Sequence, residues 1–118
     1  MDLASKDQYI QRAESAKLGS TALTTVYTAP TGGDFDFAIL DSILVANDAT
    51  QATTVSFTIT DSSSNNFVIF KDVSFTNKET KEMLSRSLIL TAGELLKIEV
   101  SHANINVVVS LIEYAKGD

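Results

Sequence analysis

The sequence predicts an all-β domain, a single antiparallel β-sandwich (jelly-roll or immunoglobulin-like) of about seven or eight strands with a short N-terminal arm or helix. Three observations predict it. Apolar residues recur at period two in several separate segments, which places successive side chains on opposite faces of a sheet. Turn-forming clusters fall between those segments. No stretch after residue 20 carries the pattern of a crossover helix, so the strands have no parallel connection to make.

Residues 1–20 stand apart as an arm, and residues 21–118 make up the sandwich. The arm is rich in Ala, Gln, Lys and Glu, with Leu3, Ile10, Ala13 and Leu18 as sparse apolar points. Propensity favours a short helix from Ser5 to Lys17, stopped by Gly19, with an apolar stripe too thin to hold it alone. The first strand runs from Ala22 to Thr28 and ends at the turn Ala29-Pro30-Thr31-Gly32-Gly33. A long strand follows from Phe35 to Ala46, and its alternation slips near Leu40-Asp41, the mark of a β-bulge or a bend. After Asn47-Asp48, Val55, Phe57 and Ile59 alternate with Thr54, Ser56, Thr58 and Thr60. Asp61 to Asn66 is a polar turn and Phe67 to Phe70 a short strand; Lys78 to Glu82 reads as solvated charge. A weaker strand lies around Met83 to Ile89 before the Thr91-Ala92-Gly93-Glu94 turn. Leu95 to Val100 and Ile105 to Ile112 then form a closing hairpin.

The chain has 118 residues, 44% of them hydrophobic, which suits one globular domain with a single core. Nine basic residues against fifteen acidic ones leave a net charge of −6 and no basic stripe, which argues against nucleic acid and against an anionic membrane as partners. There is no cysteine, so disulfides, thiolate zinc sites and thiol nucleophiles are excluded. The first twenty residues lack the apolar core of a signal peptide, and cytoplasmic synthesis is the expectation.

No constellation of residues carries chemistry. His102 is the only histidine and falls in a hairpin turn, with no nucleophile elbow elsewhere in the chain. Asp34, Asp36, Asp41 and Asp48 are the densest acidic group, but Phe35 and Phe37 alternate with the first two as on a strand with one wet face. Gly32-Gly33 has no helix behind it to make a phosphate loop. Asp61–Asn66 and His102–Asn104 are polar enough to meet a sugar, yet no Trp is present to stack on one. The reading is no enzyme, no catalytic or metal-binding residues and no cofactor.

One feature favours assembly. In the last strand Val108 and Ile112 lie on the face opposite Val107, Val109 and Leu111, so both faces carry apolar residues where one should be wet. Either the amino-terminal segment or a neighbouring subunit would cover that second face. The candidate interface residues are Leu3, Tyr9, Ile10 and Leu18 in the arm and Val108 and Ile112 on the second face. Val108→Asp is expected to impair folding or association, and removal of residues 1–19 to leave the sandwich folded.

The segments TTVYTAPTGG (24–33), AILDSILVAND (38–48), TTVSFTITD (53–61) and LILTAGELLKIEVSHANINVVVSLIEY (88–114) resemble the small β-sandwich virion proteins of tailed bacteriophages. Tyr27, Thr28, Pro30, Gly32, Ile43, Val45, Asn47, Leu90, Gly93, Glu94, Leu96, Ile98 and Glu113 stand at the matching places. The resemblance implies a non-enzymatic structural protein of a phage virion, most simply a decoration or accessory subunit of capsid or tail. Its partners would be itself, as a homo-oligomer, and other virion proteins. The alternative is a host-surface carbohydrate-binding module of a tail or fibre.

Overall fold

The computed structural model describes residues 8–115. Its strands are β1 (Gln8–Leu18), β2 (Thr24–Thr28), β3 (Phe35–Asn47), β4 (Thr53–Thr60), β5 (Asn66–Phe75), β6 (Thr80–Glu82), β7 (Leu88–Thr91), β8 (Leu95–Val100) and β9 (Ile105–Ala115). One sheet has the order β1-β9-β3-β6, with β7 further along the same side of β3; the other has the order β2-β8-β4-β5. Every pairing is antiparallel.

The pairings nest. β4 pairs with its neighbour β5, β3 with β6 and β7, β2 with β8, and β1 with β9. That is one long hairpin whose tip is β4–β5, wrapped so that β9 also pairs with β3 and β8 with β4. This winding is a jelly roll, with β6 and β7 as two halves of one strand. The core lies between the sheets and includes Leu40, Ile43 and Val45 of β3, Val55 and Phe57 of β4, Leu96 and Ile98 of β8, and Ile105, Val107 and Val109 of β9. Full burial of each such side chain contributes about 1.5–3 kcal/mol.

The slip at Leu40-Asp41 is a β-bulge: the register of β3 against β9 shifts between Leu40 and Ser42. Glu82, the last residue of β6, fills the gap this leaves. Its carboxylate accepts the Ile43 N–H at 2.8 Å, the Leu84 N–H at 3.1 Å and the Ser42 hydroxyl. Partial burial alone would raise its pKa, but these hydrogen bonds and the backbone at Met83 outweigh that and hold the carboxyl below its ordinary value.

Three expectations need correction. The closing hairpin is not a hairpin: β8 pairs with β2 and β4 in one sheet and β9 with β1 and β3 in the other, so residues 101–104 cross between the sheets. The helix over Ser5 to Lys17 is instead an edge strand from Gln8, and residues 1–7 lie outside those described. Backbone pairing along all of β9 outweighs a local helix propensity with too little apolar face to sustain it. The charged stretch at Lys78 to Glu82 is solvated as expected, with Thr80–Glu82 pairing with β3. The strand placed around Met83 to Ile89 begins only at Leu88.

Candidate functional site

The outer face of the first sheet is assembled from the register of its strands. Along β9, Ile105, Val107, Val109, Leu111 and Glu113 are buried, while Asn106, Val108, Ser110, Ile112 and Tyr114 alternate with them on the outside. Tyr9 pairs with Tyr114 and Tyr114 with Phe37; Gln11 pairs with Ile112, Ile112 with Ile39, and Ile39 with Ile89. Two adjacent rows result, one aromatic and one aliphatic. Tyr9 and Tyr114 have ring centroids 4.7 Å apart, and Phe37 stacks on Tyr114 at 5.0 Å. The rows end in the two most exposed large apolar residues described, Tyr9 at 67% and Ile89 at 63%.

Below them Ala13, Ser110 and Ser42 form a row of small residues, with Asp41 at the bulge. A shallow depression opens there, lined by Gln11, Ala13, Asp41, Ser110 and Ile112. The next row returns to apolar character with Val108 beside Leu44, both partly exposed. The outer face of the second sheet differs. There Lys97 lies between Thr25 and Thr58, and Glu99 pairs with Ser56. The Lys97 row is polar as far as β4, but it ends in Val68 of β5, which is 56% exposed.

The candidate interface residues divide on this geometry. Tyr9, Val108 and Ile112 share the outer face. Ile10 pairs with Glu113 and so takes the opposite side, near the end of the sheet, where it stays 47% exposed. Leu18 belongs to the core of its own chain at 4% exposure and offers a neighbour nothing, a correction to its place among interface residues. It pairs with Ile105, and that inward register fixes it. Leu3 lies outside the described residues. Phe37, Ile39, Leu44, Ile89 and Tyr114 belong to the face but were not singled out in the sequence. Only the pairing of β3, β7 and β9 brings them together.

A polar cluster sits at the inner end of β9. The buried Tyr27 hydroxyl donates to Glu113 Oε2 at 2.6 Å, and Arg12 Nη1 donates to Glu113 Oε1 at 3.4 Å. Burial first, and then the Glu113 carboxylate, push the Tyr27 hydroxyl well above the ordinary tyrosine range. A phenol held so firmly in its protonated form is a structural donor and a poor acid or base. His102 has Ser101 Oγ 3.4 Å from Nδ1, while Ser101 Oγ itself accepts the Thr54 N–H at 2.8 Å. That serine closes a turn. The Asp61 turn is likewise knitted to itself: Oδ1 accepts the N–H groups of Ser63 and Asn65 at 2.9 Å each, and Oδ2 accepts Asn65 Nδ2 at 3.1 Å. These bonds hold the Asp61 carboxyl below its ordinary value. Among the described residues, no three of His, Asp and Glu converge as metal ligands.

Several residues that carried the family resemblance prove to be fold-holding. Asn47 is buried and clamps three segments, donating to the Gln51 and Thr76 carbonyls and accepting the Ala49 N–H. Gly93 takes φ +79°, a backbone state that glycine adopts without strain, and Glu94 accepts the Thr91 N–H at 2.6 Å.

No protein-family model matches the chain, and no curated protein is similar to it in sequence. Solved structures share its fold. A chain of the T13 particle of infectious bursal disease virus superposes with a TM-score of 0.57 at 9% identity; 99% of this chain is covered, and it spans only 33% of the viral one. A chain of the capsid of Helicobacter pylori bacteriophage KHP30 gives a TM-score of 0.53 at 16% identity over 92% of each. A chain of the Bacillus endospore appendages, described as disulfide-linked pili, gives 0.55 at 8% identity and covers all of this chain and 96% of that one. The jelly roll is therefore shared with chains of two viral capsids and of one pilus.

Proposed function

We propose that this protein is a non-enzymatic structural subunit of a phage virion, a decoration or accessory subunit of capsid or tail that acts through subunit contacts. The observation that carries the reading is the set of exposed apolar side chains on the outer face of the first sheet, from Tyr9 to Ile89 with Val108 and Leu44. Exposed apolar area of that kind marks a contact surface. The fold shared with small and large capsid chains supports the setting, and the KHP30 capsid chain is of matching length. The partners are other copies of the chain and other virion proteins, in a particle assembled from protein made in the host cytoplasm. The balance of −6 net charge keeps nucleic acid and anionic membrane off the list of partners.

The appendage chain favours a second reading, a fibre subunit. A disulfide-linked fibre is closed to this chain because it has no cysteine. The carbohydrate-binding alternative loses ground because the Asp61 turn uses its polar groups on itself.

Antibody labelling of purified particles from cultures that encode the chain tests the proposal. Label regularly placed on heads or tails, together with the chain in washed particles, is the expected result. Absence from the particles would overturn it. Saturable binding on a glycan array, lost in Asn65→Ala, would favour the carbohydrate reading instead.

A further inference from the structure

The apolar face complements itself. Its four strand positions run β1, β9, β3 and then β6 with β7. A two-fold axis parallel to the strands, passing between β9 and β3, would set each β9 over the partner's β3 and each β1 over the partner's β6–β7 side. We infer that a second copy of this chain covers the face in this way, as an isologous sheet-on-sheet dimer. The inference rests on the reading of this face as a subunit contact.

Three observations favour a second copy over another occupant. The first is pairing. Under that axis Tyr114 meets the partner's Phe37, Ile112 meets the partner's Ile39, and Val108 meets the partner's Leu44. At the edges Tyr9 comes over the partner's Thr91 and Gln11 over the partner's Ile89, so both of the most exposed side chains are covered.

The second is charge. On the rows that define the face, Lys17 pairs with Asn106 on β1's edge, and Glu82 pairs with Leu44 on the opposite edge. The two-fold sets Lys17 over the partner's Thr80, one row from the partner's Glu82, and the same contact forms at the other side. A like-charge arrangement would have spoken against self-pairing.

The third is area. Four strands about 4.8 Å apart, taken along the 11 residues of β9 at about 3.4 Å each, present on the order of 700 Å². A standard interface takes roughly 800 Å² from each partner. The face is therefore the right size when a second sheet covers all of it, the Val108–Leu44 row included. A single docked peptide strand would cover only one of the two apolar patches.

Asp41 is the one charge near the axis, and it opposes close approach. It lines the depression left by Ala13 and Ser110, so the two copies enclose a wet pocket there and the carboxylates stay hydrated.

Sedimentation and light scattering of the full chain across a dilution series test the dimer. The parent should give twice the monomer mass. Ile89→Lys and Val108→Asp should each raise the dissociation constant about tenfold or more, a loss of about 1.4 kcal/mol or greater. Both positions are exposed, so melting of the diluted variants should match that of the diluted parent. Lys17→Glu should weaken association, and Asp41→Asn should tighten it. A monomer at every concentration, a closed trimer, or a dimer indifferent to Ile89→Lys and Val108→Asp would overturn the inference. Particle labelling reads out separately, so a monomer found in virions would overturn the dimer and leave the virion role standing.

Discussion

Glu113 occupies an inward position of β9, where the residues before it on that face are Ile105, Val107, Val109 and Leu111. A carboxylate there is tolerated because Tyr27, from the other sheet, donates its hydroxyl at 2.6 Å and Arg12 approaches from β1. The cluster therefore ties three strands together. Glu113→Ala leaves a buried phenol without its acceptor and should cost about 2–3 kcal/mol in denaturant unfolding. Tyr27→Phe should cost less, and the double variant should be clearly non-additive in a thermodynamic cycle. The pH dependence has a fixed sign. The folded-state pKa of Tyr27 is raised above the ordinary value of 10.0, so its contribution is complete below that value and is lost as pH rises above it. Tyr27→Phe should flatten the alkaline limb of the stability profile; an unchanged limb would mean the hydroxyl titrates freely.

At the scale of elements, β1 and the β6–β7 break decide most. β1 pairs with β9 along its whole length and places Leu18 in the core, so removing residues 1–19 strips a sheet edge. The expectation that such a truncation folds is reversed. It should lose cooperative unfolding, whereas removal of residues 1–7 should keep it, and circular dichroism melts distinguish the two. Glu82 stands in for a strand where the ladder breaks. Its carboxyl is held below the ordinary value, so the stability it contributes is present above that value and is lost as pH falls through the folded-state pKa. Glu82→Gln should therefore unfold with a shallower acid limb than the parent.

For the whole molecule, the nested topology makes nearly every pairing beyond the β4–β5 hairpin non-local. Loop closure must precede those contacts, so refolding should be slow for the size of the domain, on the order of milliseconds to seconds or longer. The hairpin tip should form early and β1 last. In stopped-flow kinetics Phe57→Leu should mainly slow folding, while Leu18→Ala, costing about 2–5 kcal/mol, should mainly speed unfolding. The reverse pattern would place the nucleus at the chain ends.

The strands with clean alternation were legible because burial on one face imposes period two directly on the sequence. Thr53–Thr60, Leu95–Val100 and Ile105–Ala115 show this, and the slip at Leu40-Asp41 announced the bulge. β1 was not legible: its partner lies at the far end of the chain, and its own residues carry mostly helix-favouring side chains. The second face was half legible. Val108 and Ile112 signalled it through apolar residues on the wrong side of an alternating strand. Phe37, Ile39, Leu44, Ile89 and Tyr114 gave no such signal, because a side chain's outer neighbours depend on which strands pair and in what register. The sequence by itself determined strands, turns and the absence of a motif for catalysis, all of which follow from local periodicity and residue chemistry. Tertiary structure alone decided the jelly-roll winding, the edge position of β1 and the gathering of two apolar patches on one outer face, because these depend on pairings between residues far apart in the chain.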